Sequence, residues 1–407
     1  MLKSVANPKL KRSLGLTTLT LFGLGNIVGA GIYVLIGKVA GVAGYNAPLA
    51  FLIAMAIAAL TALSYMELSS RYPDAAGVSA YMHGAFGSKL LSLSVGILMI
   101  AGGIVSAGVL ARGFAGYLSV FMSLPVWLAA LLILVVLGLV AMWGIGESAK
   151  LAVAFTVLEL LGLGLIIWAG RSYLGDWSAN ASYFGSLDPG FGWNGILVGA
   201  FLAFYAFIGF EDIVSVAEEV KRPRKTMPLA ILLSLAIATF LYMAVVIVAV
   251  RAIPPAELAA SPAPLALVFT RTAGASAFFI SLIGISAAVN GILAHMIGTA
   301  RLVFGLAKRG WLHHELAEVH LVRKTPVLAT FITVLPMIVF AVAMPIETLA
   351  RLTSFLLLCI FMLVNVALIT IKRRKRVHAQ AVAVPRWVPY AGLVTSFGLV
   401  LYQIVNR

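Results

Sequence analysis

Eleven apolar stretches follow one another along the chain, each close to or above the roughly 20 residues that a helix needs to cross a bilayer. Hydrophobic residues make up 62% of the 407 residues, and charged residues only 11%. A water-soluble fold of this size could not cover so much apolar surface. The sequence therefore predicts an all-α integral membrane protein with a single transmembrane domain over 1–407. The predicted spans, numbered in chain order, cover residues 15–37, 46–70, 89–121, 126–144, 148–171, 194–218, 227–250, 274–306, 326–344, 346–371 and 387–405.

The distribution of basic residues predicts the orientation in the membrane. With the N-terminus in the cytoplasm, most of the 29 lysines and arginines lie at the cytoplasmic ends of the spans, including the run KRRKR at 372–376. Cytoplasmic loops of membrane proteins carry such an excess. The net charge of +15 is therefore better explained by contact with lipid headgroups than by binding to nucleic acid, which we do not expect. We predict a multi-pass protein of the cell membrane (inner or plasma).

The sequence offers no recognisable metal or cofactor site. Its single cysteine, Cys359, excludes an internal disulfide, and its six histidines form no cluster with cysteine or paired carboxylates. No nucleophile–base pair or phosphate-binding loop stands out. We therefore expect no cofactor, no metal and no catalytic residues, so the protein is not predicted to be an enzyme.

The stretch GNIVGAGIY at 25–33 places three glycines and Asn26 inside the first span. Close packing of helices through a GxxxG motif could explain the glycines alone. However, Asn26 would be costly against lipid, and only small residues occupy 29–31. Non-helical backbone at membrane depth is tolerated where protein or water surrounds it. We predict a break in this span, with free amides on Gly29, Ala30 and Gly31 that bind an anion, most naturally a carboxylate.

The sixth span carries a matching feature. In AFIGFED at 206–212, Gly209 precedes two acids, Glu211 and Asp212, deep in an apolar stretch. Transporters built from inverted repeats have broken helices in corresponding positions of the two halves. We therefore predict a second break at 207–211. Acids at this depth are costly and usually functional, and a carboxyl group removed from water takes up a proton more readily, so Glu211 is a candidate proton carrier.

Three motifs resemble those of the amino acid–polyamine–organocation (APC) superfamily of amino acid permeases. They are GLGNIVGAGIYVLIG at 23–37, GFEDIVSVAEEVKRPRKTMP at 209–228 and TARLVFGLAKRGWL at 299–312. The resemblance implies the five-plus-five inverted-repeat fold first seen in a leucine transporter, with the helices of spans 1 and 6 broken. It places the first repeat at 14–171, the second at 194–371, and an extra C-terminal helix at 387–405. The implied substrate is a small molecule, an amino acid, bound between spans 1, 3, 6 and 8.

The resemblance also assigns the residues of span 1. The carboxylate-binding turn falls on Gly29, Ala30 and Gly31. Asn26 and Ile27 lie just before it, where their carbonyl groups would help to hold the α-amino group of the substrate.

In span 6, the resemblance implies that the carbonyl groups of Phe207, Ile208 and Phe210 complete the site for the ammonium group. Tyr205 and Phe207 are the aromatic side chains expected to close over the substrate. Each could instead pack against lipid or the protein core.

Span 5 departs from the family pattern at Glu159, in the stretch AFTVLELLGLG at 154–164. Many relatives carry a lysine near this place, whose ammonium occupies the second sodium site. A glutamate reverses the sign, so that mechanism cannot be transferred. Glu159 could take up and release a proton, coordinate a cation, or be a structural acid. We predict proton coupling through Glu159 or Glu211, because no cluster of hydroxyl residues marks a sodium site.

The predicted function is proton-coupled uptake of neutral amino acids by alternating access. Neutral substrates are favoured because span 3 offers no acid for a cationic side chain. The alternatives are an uncoupled exchanger of amino acids or polyamines and a transport-inactive sensor or scaffold. The oligomeric state stays open.

Four further polar residues have structural or functional interpretations. Arg112 in span 3 could pair with Glu159 or extend to the outer interface. Glu67 and Arg71 have the spacing of a helical ion pair. His295 in span 8 could contact the substrate or relay protons.

Overall fold

The computed structural model describes residues 12–73, 77–143, 149–175, 192–320, 323, 325–374 and 382–406. Over these residues the chain is helical, and its strand-like pairing is confined to one isolated bridge. The α-helices are α1 (Leu16–Val28), α2 (Ala30–Ala43), α3 (Ala47–Arg71), α4 (Val78–Phe86), α5 (Lys89–Leu118), α6 (Val126–Trp143), α7 (Ala149–Ala169), α8 (Arg171–Gly175), α9 (Gly192–Ala203), α10 (Pro223–Ala252), α11 (Pro255–Ala260), α12 (Pro264–Ala273), α13 (Phe278–Lys308), α14 (Val327–Ala343), α15 (Ile346–Arg373) and α16 (Trp387–Val405).

Each predicted span has a counterpart in the described part of the chain. Eight helical stretches are long and apolar enough to cross a membrane, and the first of them, Leu16–Arg71, contains spans 1 and 2. The shorter apolar helices Val153–Ala169 and Val327–Ala343 match spans 5 and 9. The all-α membrane fold is thus confirmed. The limits of the two repeats and the orientation stay predictions, and the basic residues within 1–11 and 375–381 lie outside the described residues.

Among the described residues, four short helices between the spans are absent from the sequence prediction. They are α4, α8, α11 and α12, with 5 to 10 residues each. These helices are too short for a hydrophobic periodicity to distinguish them from connecting loops in the sequence. The ends of α4 follow from two glycines with positive φ, Gly77 at 52° and Gly87 at 65°, a conformation that disfavours any other residue.

The break in span 1 lies at Gly29. Its backbone angles, φ −27° and ψ −165°, are far from helical and separate α1 from α2. The predicted interruption of this span is therefore confirmed, although the second half extends to Ala43 and is longer than expected.

The break in span 6 lies at Ile208 and Gly209. After α9 the chain forms a 3₁₀ segment, Phe204–Phe207, and then an extended residue, Ile208, with ψ 145°. Gly209 follows with φ +124°, and a second 3₁₀ segment, Phe210–Glu219, completes the span. This position also matches the prediction.

Arg112 stabilises a helix end instead of pairing with Glu159. Its Nε donates to Ala341 O at 2.7 Å, and a terminal nitrogen donates to Val342 O at 2.9 Å. These carbonyl groups lie in the last turn of α14, where the helix itself supplies no donor. A cation at this end also interacts favourably with the helix dipole.

Glu67 is the centre of a buried ion-pair cluster at the end of α3. Its carboxylate pairs with Arg71, as the spacing predicts, and with Lys372 Nζ at 2.7 Å. It also accepts a hydrogen bond from Val384 N at 2.8 Å. The cluster therefore joins α3 to α15 and to the segment that precedes α16.

Replacing Glu67 with alanine is expected to destabilise the protein by about 3 kcal/mol, the lower end of the range for buried ion pairs, because two largely buried basic groups, Arg71 and Lys372, lose their counter-charge. Thermal unfolding of the purified protein in detergent measures the effect as a lower Tm. Glu67→Gln, which keeps an acceptor for Val384, should fall between alanine and the original residue. Equal Tm values for all three would contradict a stabilising cluster.

Candidate functional site

A cavity lies where the two helix breaks meet α5 and α13. Spans 1, 3, 6 and 8 border it, the four spans between which the family resemblance places the substrate. Its lining residues are Gly25, Asn26, Ile27, Gly29, Gly31, Ser106, Leu110, Tyr205, Ile208, Gly209, Asp212, Asn290, Gly291, Ala294 and His295.

The amides at the break of span 1 begin one residue later than predicted. The N–H of Gly29 donates to Gly25 O at 3.0 Å and closes the last turn of α1, so it is not available to a ligand. Ala30, Gly31 and Ile32 form the first turn of α2, where the helix provides no acceptor for the N–H groups. Within the described chain no side chain caps this end. Since Gly29 and Gly31 line the cavity, a positive helix end borders it.

The aromatic residues of span 6 divide between the cavity and the core. Tyr205 lines the cavity, as does Ile208. The ring of Phe207 instead packs against Phe51 and Tyr242, at centroid distances of 6.2 and 5.3 Å. The ring of Phe207 therefore belongs to a buried aromatic cluster, and its role in closing over a substrate stays a prediction.

Phe210 also points into the core. Its ring packs against Tyr65 and Phe361, at centroid distances of 5.6 and 5.3 Å. At this break, Ile208 and Gly209 line the cavity. The role predicted for the carbonyl groups of Phe207 and Phe210 stays a prediction.

A hydrogen-bonded chain of three side chains forms part of the cavity wall. Ser106 Oγ is 2.9 Å from Tyr205 Oη and 2.9 Å from His295 Nε2. The three residues come from α5, from span 6 and from α13. This chain links the broken span to two unbroken helices, and it gives the cavity a neutral polar side.

The two adjacent acids of span 6 have different surroundings. Glu211 is buried, and its carboxylate accepts a hydrogen bond from the N–H of Gly209 at 2.9 Å. It therefore satisfies the backbone at the break. Asp212 is the acid of this pair that lines the cavity.

Glu159 lies one side chain away from the cavity. It is fully buried, and Oε1 accepts a hydrogen bond from Asn290 Nδ2 at 3.4 Å, while Asn290 itself lines the cavity. Oε2 has no hydrogen-bond partner within the described residues. The backbone carbonyl of Glu159 accepts from the hydroxyl of Tyr33 at 2.7 Å. A buried carboxyl group with one unpartnered oxygen is a candidate site for a proton.

Sequence reasoning missed most of the cavity residues from the unbroken helices. The cavity-lining residues that it did not identify are Ser106, Leu110, Asn290, Gly291 and Ala294. The available signal was in α13, where Asn290 and Ala294 are four residues apart and therefore share one helix face. A polar residue such as Asn290 within an apolar span is itself an indication of function.

Comparisons with known proteins agree with the all-α membrane fold. A family model described as amino acid permease matches residues 14–406. The chain is 30% identical to the branched-chain amino acid permease BcaP of Bacillus subtilis, over 96% of this chain and 88% of that protein. It is 29% identical to the methylthioribose transporter of Bacillus subtilis, over 95% of this chain and 87% of that protein.

A third relative is longer. The chain is 30% identical to cationic amino acid transporter 4 of Mus musculus over 92% of this chain, but over only 62% of that protein. The family match covers nearly the whole chain, both helix breaks and every cavity-lining residue. The chain therefore belongs to the amino acid permease family of the APC superfamily.

Proposed function

We propose that the protein is a secondary active permease that moves neutral amino acids across the cell membrane by alternating access, coupled to protons, with its N-terminus in the cytoplasm. The observation that carries this proposal is the meeting of two helix breaks on one cavity. Such breaks leave backbone donors and acceptors at membrane depth, where they can bind the two charged ends of a zwitterion.

The cavity has groups for both ends of an amino acid. The N-terminal turn of α2 presents N–H groups and the positive end of a helix dipole to the carboxylate. On the opposite break, the backbone at Ile208 and Gly209 and the carboxylate of Asp212 suit the ammonium group. A charged pair enclosed at membrane depth interacts strongly because little water screens it.

The remaining wall favours an uncharged side chain. Leu110, Gly291 and Ala294 are apolar, and the hydrogen-bonded chain of Ser106, Tyr205 and His295 has no acid. With Asp212 engaged by the α-ammonium group, a cationic side chain would find no second acid in the described cavity wall. Uptake of a panel of radiolabelled amino acids into proteoliposomes tests this, and transport restricted to lysine and arginine would overturn it.

Proton coupling is assigned to Glu159. Its contact with Asn290 connects it to the cavity, and its unpartnered oxygen can carry a proton. Glu211 is a weaker candidate, because its carboxylate is already used by the amide of Gly209. Uptake that is unchanged when the pH gradient is abolished would instead indicate an uncoupled exchanger.

Glu159→Gln is expected to abolish accumulation driven by a pH gradient while leaving exchange of internal for external amino acid largely intact. Glutamine has a similar shape but cannot release a proton. The matched control is Glu211→Gln, because the amide oxygen of glutamine can still accept a hydrogen bond from the N–H of Gly209. This variant should still accumulate amino acid. Accumulation by the Glu159 variant would exclude it as the coupling residue.

A further inference from the structure

We infer that the hydroxyl group of Tyr242 positions the two helix breaks relative to each other. Tyr242 lies in α10, outside the set of residues that line the cavity, and contacts the backbone of both broken spans. Its role for the substrate rests on the proposed function, but its effect on the breaks does not. Tyr242 is thus a positioning residue that acts through the backbone.

Tyr242 Oη lies between two carbonyl oxygens. It is 2.6 Å from Ile27 O, just before the break in span 1, and 3.0 Å from Ala206 O, just before the break in span 6. In a continuous α-helix each carbonyl accepts from the N–H four residues later, but here a break intervenes in both cases. Buried carbonyl groups need a donor, and Tyr242 supplies one.

One proton serves both carbonyl groups. A phenol hydroxyl donates a single hydrogen, and both oxygens are within hydrogen-bond distance of Tyr242 Oη. The bond is therefore shared between the two breaks. If either break moved away, the remaining contact would no longer hold the two together, and a buried acceptor would lose its donor.

The ring of Tyr242 is held firmly, so its hydroxyl has a defined position. The side chain is fully buried, and its ring makes edge contacts with Phe51 and Phe207 at centroid distances of 6.3 and 5.3 Å. Phe207 belongs to span 6 itself. This packing explains why Phe207 faces away from the cavity.

The two breaks also meet directly through glycine. A Cβ on Gly31 would lie 3.2 Å from Ala206 Cα, and a Cβ on Gly209 would lie 2.5 Å from Asn26 O. With no side chains between them, the two backbones can approach closely, but glycine contributes few contacts of its own. The hydroxyl of Tyr242 therefore supplies the directional bond that fixes their separation.

The test is Tyr242→Phe, which removes only the hydroxyl group. We expect faster hydrogen–deuterium exchange in peptides that cover 25–31 and 204–212, and a Kd for radiolabelled leucine that is about tenfold higher. The matched control is Tyr117→Phe, because the hydroxyl of Tyr117 also donates to a buried carbonyl, Tyr33 O, at 2.7 Å. The control should lower Tm without changing exchange at the breaks or the Kd.

The exchange measurement separates the two proposals. If the original protein binds no amino acid, the proposed function fails, while exchange at the breaks still decides the role of Tyr242. Break peptides that exchange no faster in Tyr242→Phe than in Tyr117→Phe would overturn the inference. If Tyr242→Phe does not fold, a variant with 4-aminophenylalanine at position 242 tests the inference instead. Its two N–H groups can donate to both carbonyl groups at once. Slower exchange at the breaks than in the original protein supports the inference, and equal or faster exchange contradicts it.

Discussion

Gly209→Ala is expected to abolish amino acid uptake. Gly209 has φ +124°, a conformation that residues with a Cβ rarely adopt. The added Cβ would lie 2.5 Å from the carbonyl carbon and oxygen of Asn26 and 2.9 Å from Ile27 N. Those atoms are backbone and cannot rotate away as a side chain could, so the two breaks must separate.

Gly87→Ala is the control that isolates backbone strain from the collision. Gly87, at the end of α4, also has a positive φ, 65°, but a Cβ added there would have no atom within 4 Å. This variant should lose about 1–2 kcal/mol of stability and still transport. Uptake of labelled amino acid into proteoliposomes, together with Tm, measures both variants. Normal uptake by Gly209→Ala would show that the breaks do not need to touch.

The spans and the breaks could be predicted from the sequence because both produce strong local signals. Long apolar stretches follow from the thickness of the bilayer. The breaks stand out because Asn26, Glu211 and the neighbouring glycines are unfavourable in a lipid-facing helix. Short helices such as α4 carry no comparable signal, since their ends depend on the conformation of single glycines.

The roles of adjacent residues at the breaks could not be assigned from the sequence. Glu211 and Asp212 differ by one position, yet the first caps the break and the second lines the cavity. On a helix, one position changes the direction of a side chain by about 100°, so the local conformation decides. The 3₁₀ segment that begins at Phe210 became visible only in the structure.

Contacts between distant spans were equally inaccessible. The bond from Asn290 to Glu159 and the chain of Ser106, Tyr205 and His295 each join helices that are far apart in sequence. Single-sequence patterns show which residues share a face, but not which faces meet. The hydrogen bond from Arg112 in α5 to the last turn of α14 is a further example of such a contact.

Asp212→Asn is expected to raise the Kd for amino acids about a hundredfold. In the proposed binding mode, its carboxylate is the counter-charge of the α-ammonium group, which asparagine cannot replace. Removing one partner of an enclosed charge pair costs about 2–5 kcal/mol, and a hundredfold change in Kd lies within that range. Equilibrium binding to purified protein measures it, and an unchanged Kd would show that the ammonium group binds elsewhere.

The pattern across substrates decides what Asp212 binds. If it holds the α-ammonium group, which every amino acid carries, Asp212→Asn raises the Kd for leucine and the Kd for lysine by the same factor. If it holds the charged group of a cationic side chain, only lysine and arginine lose affinity, and the neutral specificity proposed above is wrong. Asp212→Glu keeps the charge but displaces it by one methylene group, so it should weaken binding less than asparagine does. A glutamate variant as weak as the asparagine variant would mean that position, more than charge, determines the affinity at this site.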